Sequence, residues 1–125
     1  MNTYTHFSFD SFPTDILPKR KERSSKGDFG RVLCVCGSVG MAGAAYLCAK
    51  SAYRTGAGLV EIFTPEENRT VLQASLPEAI ITAYNSENAA ELLLSSLEKA
   101  DCVAAGCGLS VTPLSRKILS TLLHN

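Results

Sequence analysis

Apolar and polar positions along this chain fall into short apolar runs separated by amphipathic stretches and glycine-rich turns. The first run, Arg31 to Cys36, carries Val32, Leu33 and Val35 and predicts a strand buried on both faces. Ala44 to Thr55 places Ala45, Cys48, Ala49 and Ala52 at helical spacing, with Gly56 as its C-cap. Leu59 to Phe63 predicts a second strand. Thr64 as N-cap, Pro65 at the first helical position and acids in the first turn predict a helix from Glu66 to Leu72. Pro77 breaks the chain before a short strand, Ala79 to Ala83. Asn85 or Ser86 caps a helix from Glu87 to Lys99, with Leu92, Leu93 and Leu97 on its apolar stripe. Cys102 to Ala105 is a fourth strand, and Thr112-Pro113 opens a last amphipathic helix through Leu122.

Strand and helix therefore alternate four times, the pattern of parallel strands joined by crossover helices in an α/β sandwich. Ligands of open parallel sheets bind at the carboxyl ends of the strands. Two of those ends carry glycine clusters, Gly37 to Gly43 and Gly106 to Gly108. A helix start offers unpaired N–H groups and the positive end of the helix dipole, and glycine lets that backbone approach a polar ligand closely. In the second loop Gly108 suits such an approach, whereas Gly106 allows a sharp exit from the strand. Asp101 precedes its strand, so it faces the opposite edge of the sheet and serves capping or solvation.

Composition narrows the class. With 125 residues, 46% apolar and 19% charged, the chain has the makings of one globular domain with a real core. Its formal net charge is zero, which gives no general attraction to nucleic acid or an anionic membrane. No apolar run approaches the roughly 18 residues of a membrane span, and Met1 to His6 has no secretory signal pattern. Residues 1–25 read as an irregular lead-in or linker, interrupted by Pro13 and Pro18. Its charge run, Lys19 to Arg23, contains Glu22 and lacks interleaved aromatics, so it reads as a solvated segment rather than an RNA-binding patch. Five cysteines, Cys34, Cys36, Cys48, Cys102 and Cys107, read as reduced core thiols, which favours the cytoplasm. The only histidines, His6 and His124, stand at the chain ends and leave no zinc spacing.

The glycine loops exclude two common nucleotide sites. Gly37, Gly40 and Gly43 form G-x-x-G-x-x-G, not the G-x-G-x-x-G of a dinucleotide fold, and no acid ends the second strand. Glu61 lies inside that strand, out of position for a ribose. No Gly-Lys-Ser/Thr follows a strand, so a P-loop is absent.

Lys26-Gly27-Asp28-Phe29-Gly30-Arg31-Val32-Leu33, Gly37-Ser38 with Met41-Ala42-Gly43-Ala44-Ala45, Arg54-Thr55-Gly56-Ala57-Gly58-Leu59-Val60, Leu76-Pro77-Glu78-Ala79 and Ala105-Gly106-Cys107-Gly108-Leu109 occur in this order. Together they resemble the first part of the NAD(P)H-hydrate dehydratases, the YjeF C-terminal domain family. The resemblance implies a ribokinase-like α/β sandwich with a mainly parallel central sheet, of which residues 26–125 form the N-terminal part. It implies a lyase that uses ADP or ATP, with Mg2+, to dehydrate the S epimer of hydrated NADH or NADPH. Gly43 and Ala44 would lie against the hydrated nucleotide, with Gly108 lining the same pocket. It also implies an NAD(P)H-hydrate epimerase domain or protein as partner, and a homo-oligomer at full length.

Two stretches of the family are absent from these 125 residues. One is the Gly-Thr-Gly-Asp segment that holds the catalytic Asp, and the other is a Thr-Pro-His-Pro-Gly-Glu segment. Cys107 also stands where the family usually has Pro. The expectation is a substrate-side fragment with no catalytic residue, inactive alone and poorly soluble because its sheet edge is exposed. The other readings are a ribokinase-like small-molecule kinase and a non-catalytic nucleotide-binding module.

Overall fold

The structure, a computed structural model, describes residues 19–125. The expectations for Met1 to His6, Pro13 and Pro18 fall outside those residues. Four parallel strands, β1 (Arg31–Val35), β2 (Leu59–Pro65), β3 (Ile80–Tyr84) and β4 (Cys102–Ala105), form one sheet in the order β3-β2-β1-β4. Helices α1 (Ala42–Arg54), α2 (Arg69–Ser75), α3 (Ala89–Leu97) and α4 (Pro113–Leu123) follow the strands in turn. The expected α/β sandwich is what forms.

Side chains of a strand alternate between its two faces, and here each face has its own core. Cys34, Cys36, Val60 and Ile62 pack against Ala45 and Ala49 of α1 and Leu72 of α2. Leu33, Val35, Phe63 and Tyr84 pack against Ala89 and Leu93 of α3 and Ile118 of α4. The Phe63 and Tyr84 rings stack with centroids 4.4 Å apart. Burial on both faces explains why the strands read as near-continuous apolar runs. Alanines on the inner side of α1 let that helix lie close to the sheet.

Local chemistry ends the elements much as expected. After α1, the Gly56 N–H donates to Tyr53 O and the Ala57 N–H to Ala52 O, a Schellman closure with Gly56 at φ +106°. Thr112 caps α4, its hydroxyl accepting from the Ser115 N–H at 3.0 Å. Lys26–Phe29 is a 3-10 turn. It is tied by the Ser25 N–H to Asp28 Oδ2 at 2.6 Å, and it docks where Gly58 leaves no room for a Cβ. The Lys26-Gly27-Asp28 motif is thus part of the packing at the start of β1 and β2. Asp101 accepts from the Arg31 N–H at 2.7 Å at that same end of the sheet, away from the glycine loops.

Three expectations need correction. Thr64 is not a helix cap: β2 continues through Pro65, and the fully buried Thr64 hydroxyl accepts from Asn68 Nδ2 at 2.9 Å. A 3-10 turn, Glu66–Asn68, intervenes, so the helix begins at Arg69 and runs to Ser75. α3 begins at Ala89, because Asn85 and Asn88 first close a reciprocal turn. In it the Asn85 Oδ1 accepts from the Glu87 and Asn88 N–H groups, and Asn88 Oδ1 accepts from the Asn85 N–H. The cysteines are not all core residues either: Cys34 and Cys36 are buried, Cys48 is half-buried, and Cys102 and Cys107 are exposed. β3 and β4 are the edges of the sheet among the described residues, and Val103 of β4 is one of its exposed apolar side chains.

One buried polar cluster, centred on Glu61, staples β1, β2, β3 and α3. Glu61 Oε2 accepts from Arg31 Nε at 3.1 Å, while Oε1 accepts from the Thr82 and Ser96 hydroxyls, each at 2.6 Å. Burial works to raise the Glu61 pKa. Hydrogen bonds from Ser96, Thr82 and Arg31 together outweigh it, and the group stays below its ordinary 4.5. Glu61→Ala would strand the guanidinium and two hydroxyls and is expected to lower stability by about 3 kcal/mol in urea unfolding. Because the folded-state pKa is depressed, the carboxylate's contribution is present above pH 4.5 and lost as pH falls below it. The variant should lack that part of the acid-induced loss; an unchanged acid profile would contradict this role.

Candidate functional site

Strand order locates the site. The chain runs outward from β1 through β2 to β3, then returns to the far side of β1 as β4. Loops leaving β1 and β4 at their carboxyl ends start on either side of this reversal, the place where an open parallel sheet leaves a crevice. These are the two glycine loops.

The first loop is held from below. Gly37 has φ +81°, and a Cβ there would stand 3.1 Å from Ala45 Cβ and Thr64 Oγ1 and 3.2 Å from Asn68 Nδ2. Asn68, 3% exposed, donates from Nδ2 both to Thr64 Oγ1 and to the Ser38 carbonyl at 3.1 Å. The Ser38 carbonyl also accepts from the Met41 N–H at 2.8 Å, which closes the loop into the start of α1. No side chain caps that helix, so its leading N–H groups are turned toward the loop without a competing acceptor of that kind.

The second loop is pinned to the first. The Gly37 N–H donates to the Cys107 carbonyl at 2.7 Å, and the Gly106 N–H donates to the Val35 carbonyl at 3.1 Å. Gly108, at φ +67°, comes so close to α1 that a Cβ would lie 2.6 Å from Ala44 Cβ. Beyond it, buried Leu109 anchors the turn, its carbonyl accepting from the Ser115 hydroxyl at 2.8 Å.

A cleft of about 560 Å³ opens beside these loops, with walls that include Ser38, Val39, Glu66, Glu67, Tyr84, Asn85, Ser86 and Ser110. Glu67 and burial affect Tyr84: burial first, then the nearby carboxylate, push its phenol up to about 12. Glu66 is paired with Arg69 Nε at 2.6 Å, and that hydrogen bond keeps its carboxyl below the ordinary value. Of the residues singled out from sequence, Ala44 and Gly108 are brought into contact. Gly43 is exposed, and its missing side chain faces open space. None of the three lines the cleft; Gly108 directly precedes Leu109 of its wall, and the wall is made by residues that the sequence did not single out. Asn68 had no signal at all, since a buried Asn after a strand looks like any turn residue. A larger concavity, about 790 Å³, lies at the amino ends of β1 and β2 near Arg20, Asp28, Phe29 and Thr55. It is at the wrong end of the sheet for the crevice that the strand order creates.

Gly108→Ala is expected to cost about 2–4 kcal/mol, from positive φ and the overlap with Ala44. Adding Ala44→Gly relieves only the overlap, so a double-mutant cycle read by urea unfolding should give a favourable coupling of about 1–3 kcal/mol. Simple additivity would mean that the two loops do not press on each other here.

Comparison with known proteins identifies the family and the fold. A family model described as NAD(P)H-hydrate dehydratase matches residues 32–125. The chain is 34% identical over 109 residues to an ADP-dependent (S)-NAD(P)H-hydrate dehydratase of Staphylococcus aureus, which covers 87% of this chain and 38% of that protein. It is 35% identical over 107 residues to a bifunctional NAD(P)H-hydrate repair enzyme of Vibrio cholerae, covering 86% of this chain and 21% of the relative. Among solved structures, a ribokinase-like superfamily protein from Enterococcus faecalis superposes with a TM-score of 0.77 at 30% identity, over 85% of this chain and 36% of the other. An ADP/ATP-dependent NAD(P)H-hydrate dehydratase from Bacillus subtilis, co-crystallised with ATP/Mg2+, gives 0.74 at 33%, over 86% and 38%. The chain thus spans well under half the length of these proteins. Within that span, the family match and the superposed structures agree: this chain belongs to the NAD(P)H-hydrate dehydratase family, with a ribokinase-like fold.

Proposed function

We propose that this chain supplies the substrate-side portion of an ADP-dependent (S)-NAD(P)H-hydrate dehydratase, a lyase that restores hydrated NADH and NADPH. The observation that carries the reading is the meeting of the two glycine loops at the strand-order reversal, in a chain of this family. Gly43 offers open space at the first turn of α1 for the hydrated nucleotide. Ala44 and Gly108, in mutual contact, set the separation of the two loops on which that nucleotide rests.

The chemistry proposed is a two-step dehydration. The hydroxyl added by hydration gives its proton to a base and attacks the terminal phosphorus of ADP or ATP, forming an O–P bond as the bridging P–O bond breaks and AMP or ADP leaves. Phosphate then leaves with the C–O electron pair, a neighbouring ring proton is lost, and the ring double bond returns. Such a step needs charge stabilisation and a base held in place. Residues of this chain orient the substrate; the catalytic segment that the family resemblance implies is not among the 125 residues. Mg2+ would bind with the nucleotide through its phosphates. An NAD(P)H-hydrate epimerase domain or protein as partner, a cytoplasmic location and a homo-oligomer at full length complete the proposal. The bifunctional relative supports the first of these. Among the described residues no helix is long and apolar enough to cross a membrane.

The test is an assay with (S)-hydrated NADH, ADP or ATP, and Mg2+. A full-length protein carrying this segment should regenerate NADH with one phosphate released per turnover, and the 125-residue chain alone should give none. In a parallel assay supplied with a thiazole or pyrimidine alcohol, release of its stable phosphorylated product without turnover of hydrated NADH would make the protein a small-molecule kinase. Robust turnover by the 125-residue chain would overturn its assignment as the substrate side only.

A further inference from the structure

The same loop contact gathers three thiols that are far apart in sequence. Cys36 follows β1 and points to the α1 side of the sheet, where it is 1% exposed. Cys48 lies on α1, half-buried, and Cys107 lies in the exposed loop after β4. The hydrogen bond from Gly37 N–H to Cys107 O and the packing of Gly108 on Ala44 fix that loop over the helix. As a result the Sγ atoms of Cys36, Cys48 and Cys107 all lie within 4.8 Å of one another. The sulfur of Cys36 also donates to the Ala104 carbonyl at 3.6 Å.

We infer that Cys36, Cys48 and Cys107 form a binding site for a thiophilic d10 metal ion, with Zn2+ as its simplest probe. Zinc–sulfur bonds of about 2.3 Å put neighbouring sulfurs about 3.8–4.0 Å apart, so the cluster closes onto an ion with a contraction of about 1 Å at most. A soft thiolate set selects such ions over Mg2+ or Ca2+. The exposed position of Cys107 gives an entry path and leaves the fourth position of a Cys₃ site to water.

Binding forms three metal–sulfur bonds and releases the thiol protons to solvent, with no change of oxidation state, so uptake strengthens as pH rises. A disulfide would pair two of the three sulfurs and strand the third; an ion uses all of them. Occupancy would also clamp the second glycine loop to α1, independently of which substrate the cleft takes.

The test uses the reduced 125-residue chain under nitrogen, titrated with Zn2+ against a chromogenic chelator, with alkylation of each cysteine followed by mass spectrometry. One Zn2+ per chain should bind, the melting temperature should rise, and alkylation of Cys107 should slow. Cys107→Ser and Cys48→Ser, at sites outside the fully buried core, should weaken uptake at least about tenfold, the lower end of what even outer-shell substitutions cost. Cys102→Ala, outside the cluster, should bind as the parent does. The proposal fails if the parent takes up no Zn2+, or if Cys107→Ser binds it equally well. It also fails if Zn2+ lowers the melting temperature, because unfolded thiols would then be the ligands.

Discussion

Everything distinctive about this half-sheet depends on how closely two loops approach across one strand boundary. β1 and β4 are neighbours, but their connections depart in different directions, and the loops that begin them are drawn together by hydrogen bonds from Gly37 to Cys107 at 2.7 Å and from Gly106 to Val35 at 3.1 Å. That approach is possible because Gly37 and Gly108 carry no side chain where Ala45, Thr64, Asn68 and Ala44 already fill the space. Two glycines therefore convert a topological reversal into a shaped crevice. The same approach determines which surfaces remain open to a ligand, and it assembles the thiol cluster beneath them.

A second constraint works from the other end. Glu61 is a carboxylate in the middle of an apolar strand, and its four hydrogen bonds reach β1, β3 and α3. Such a cluster stabilises little compared with apolar packing, yet breaking it is costly, so it fixes the relative placement of the elements. Asp101 and the Lys26–Phe29 turn bind the start of β1 at the same end. The amino ends of the strands are thus tied by side chains, and the carboxyl ends are shaped by backbone and left open.

Much of this was legible in the sequence for a physical reason: strands buried on both faces must be written as apolar runs, and parallel strands need helices between them. Arg31–Val35, Leu59–Pro65 and Cys102–Ala105 fall where those runs fall, and the Thr112-Pro113 start of α4 is signalled by its own cap. Thr64 shows the limit. Thr-Pro-Glu-Glu carries every local mark of a helix start, but the strand keeps Thr64 because tertiary pairing with Ala83 and the hydroxyl's bond to Asn68 replace the cap. The glycine loops could be found from spacing, and their family from ordered motifs. The cleft wall could not, since Ser38, Tyr84, Asn85 and Ser110 come together only through strand order. The cysteine cluster was hidden for the same reason: its members share no spacing, only a loop crossing.

The central claim is that the hydrated nicotinamide nucleotide rests on the two glycine loops at the carboxyl ends of β1 and β4. Backbone amide chemical shifts of the isotopically labelled protein, recorded during titration with (S)-hydrated NADH and with NADH as control, address it directly. The account predicts saturable shifts confined to Ser38, Gly43, Ala44, Gly108 and their neighbours, larger for the hydrate than for NADH. Shifts centred instead on Arg20, Phe29 and Thr55, at the opposite end of the strands, would contradict it.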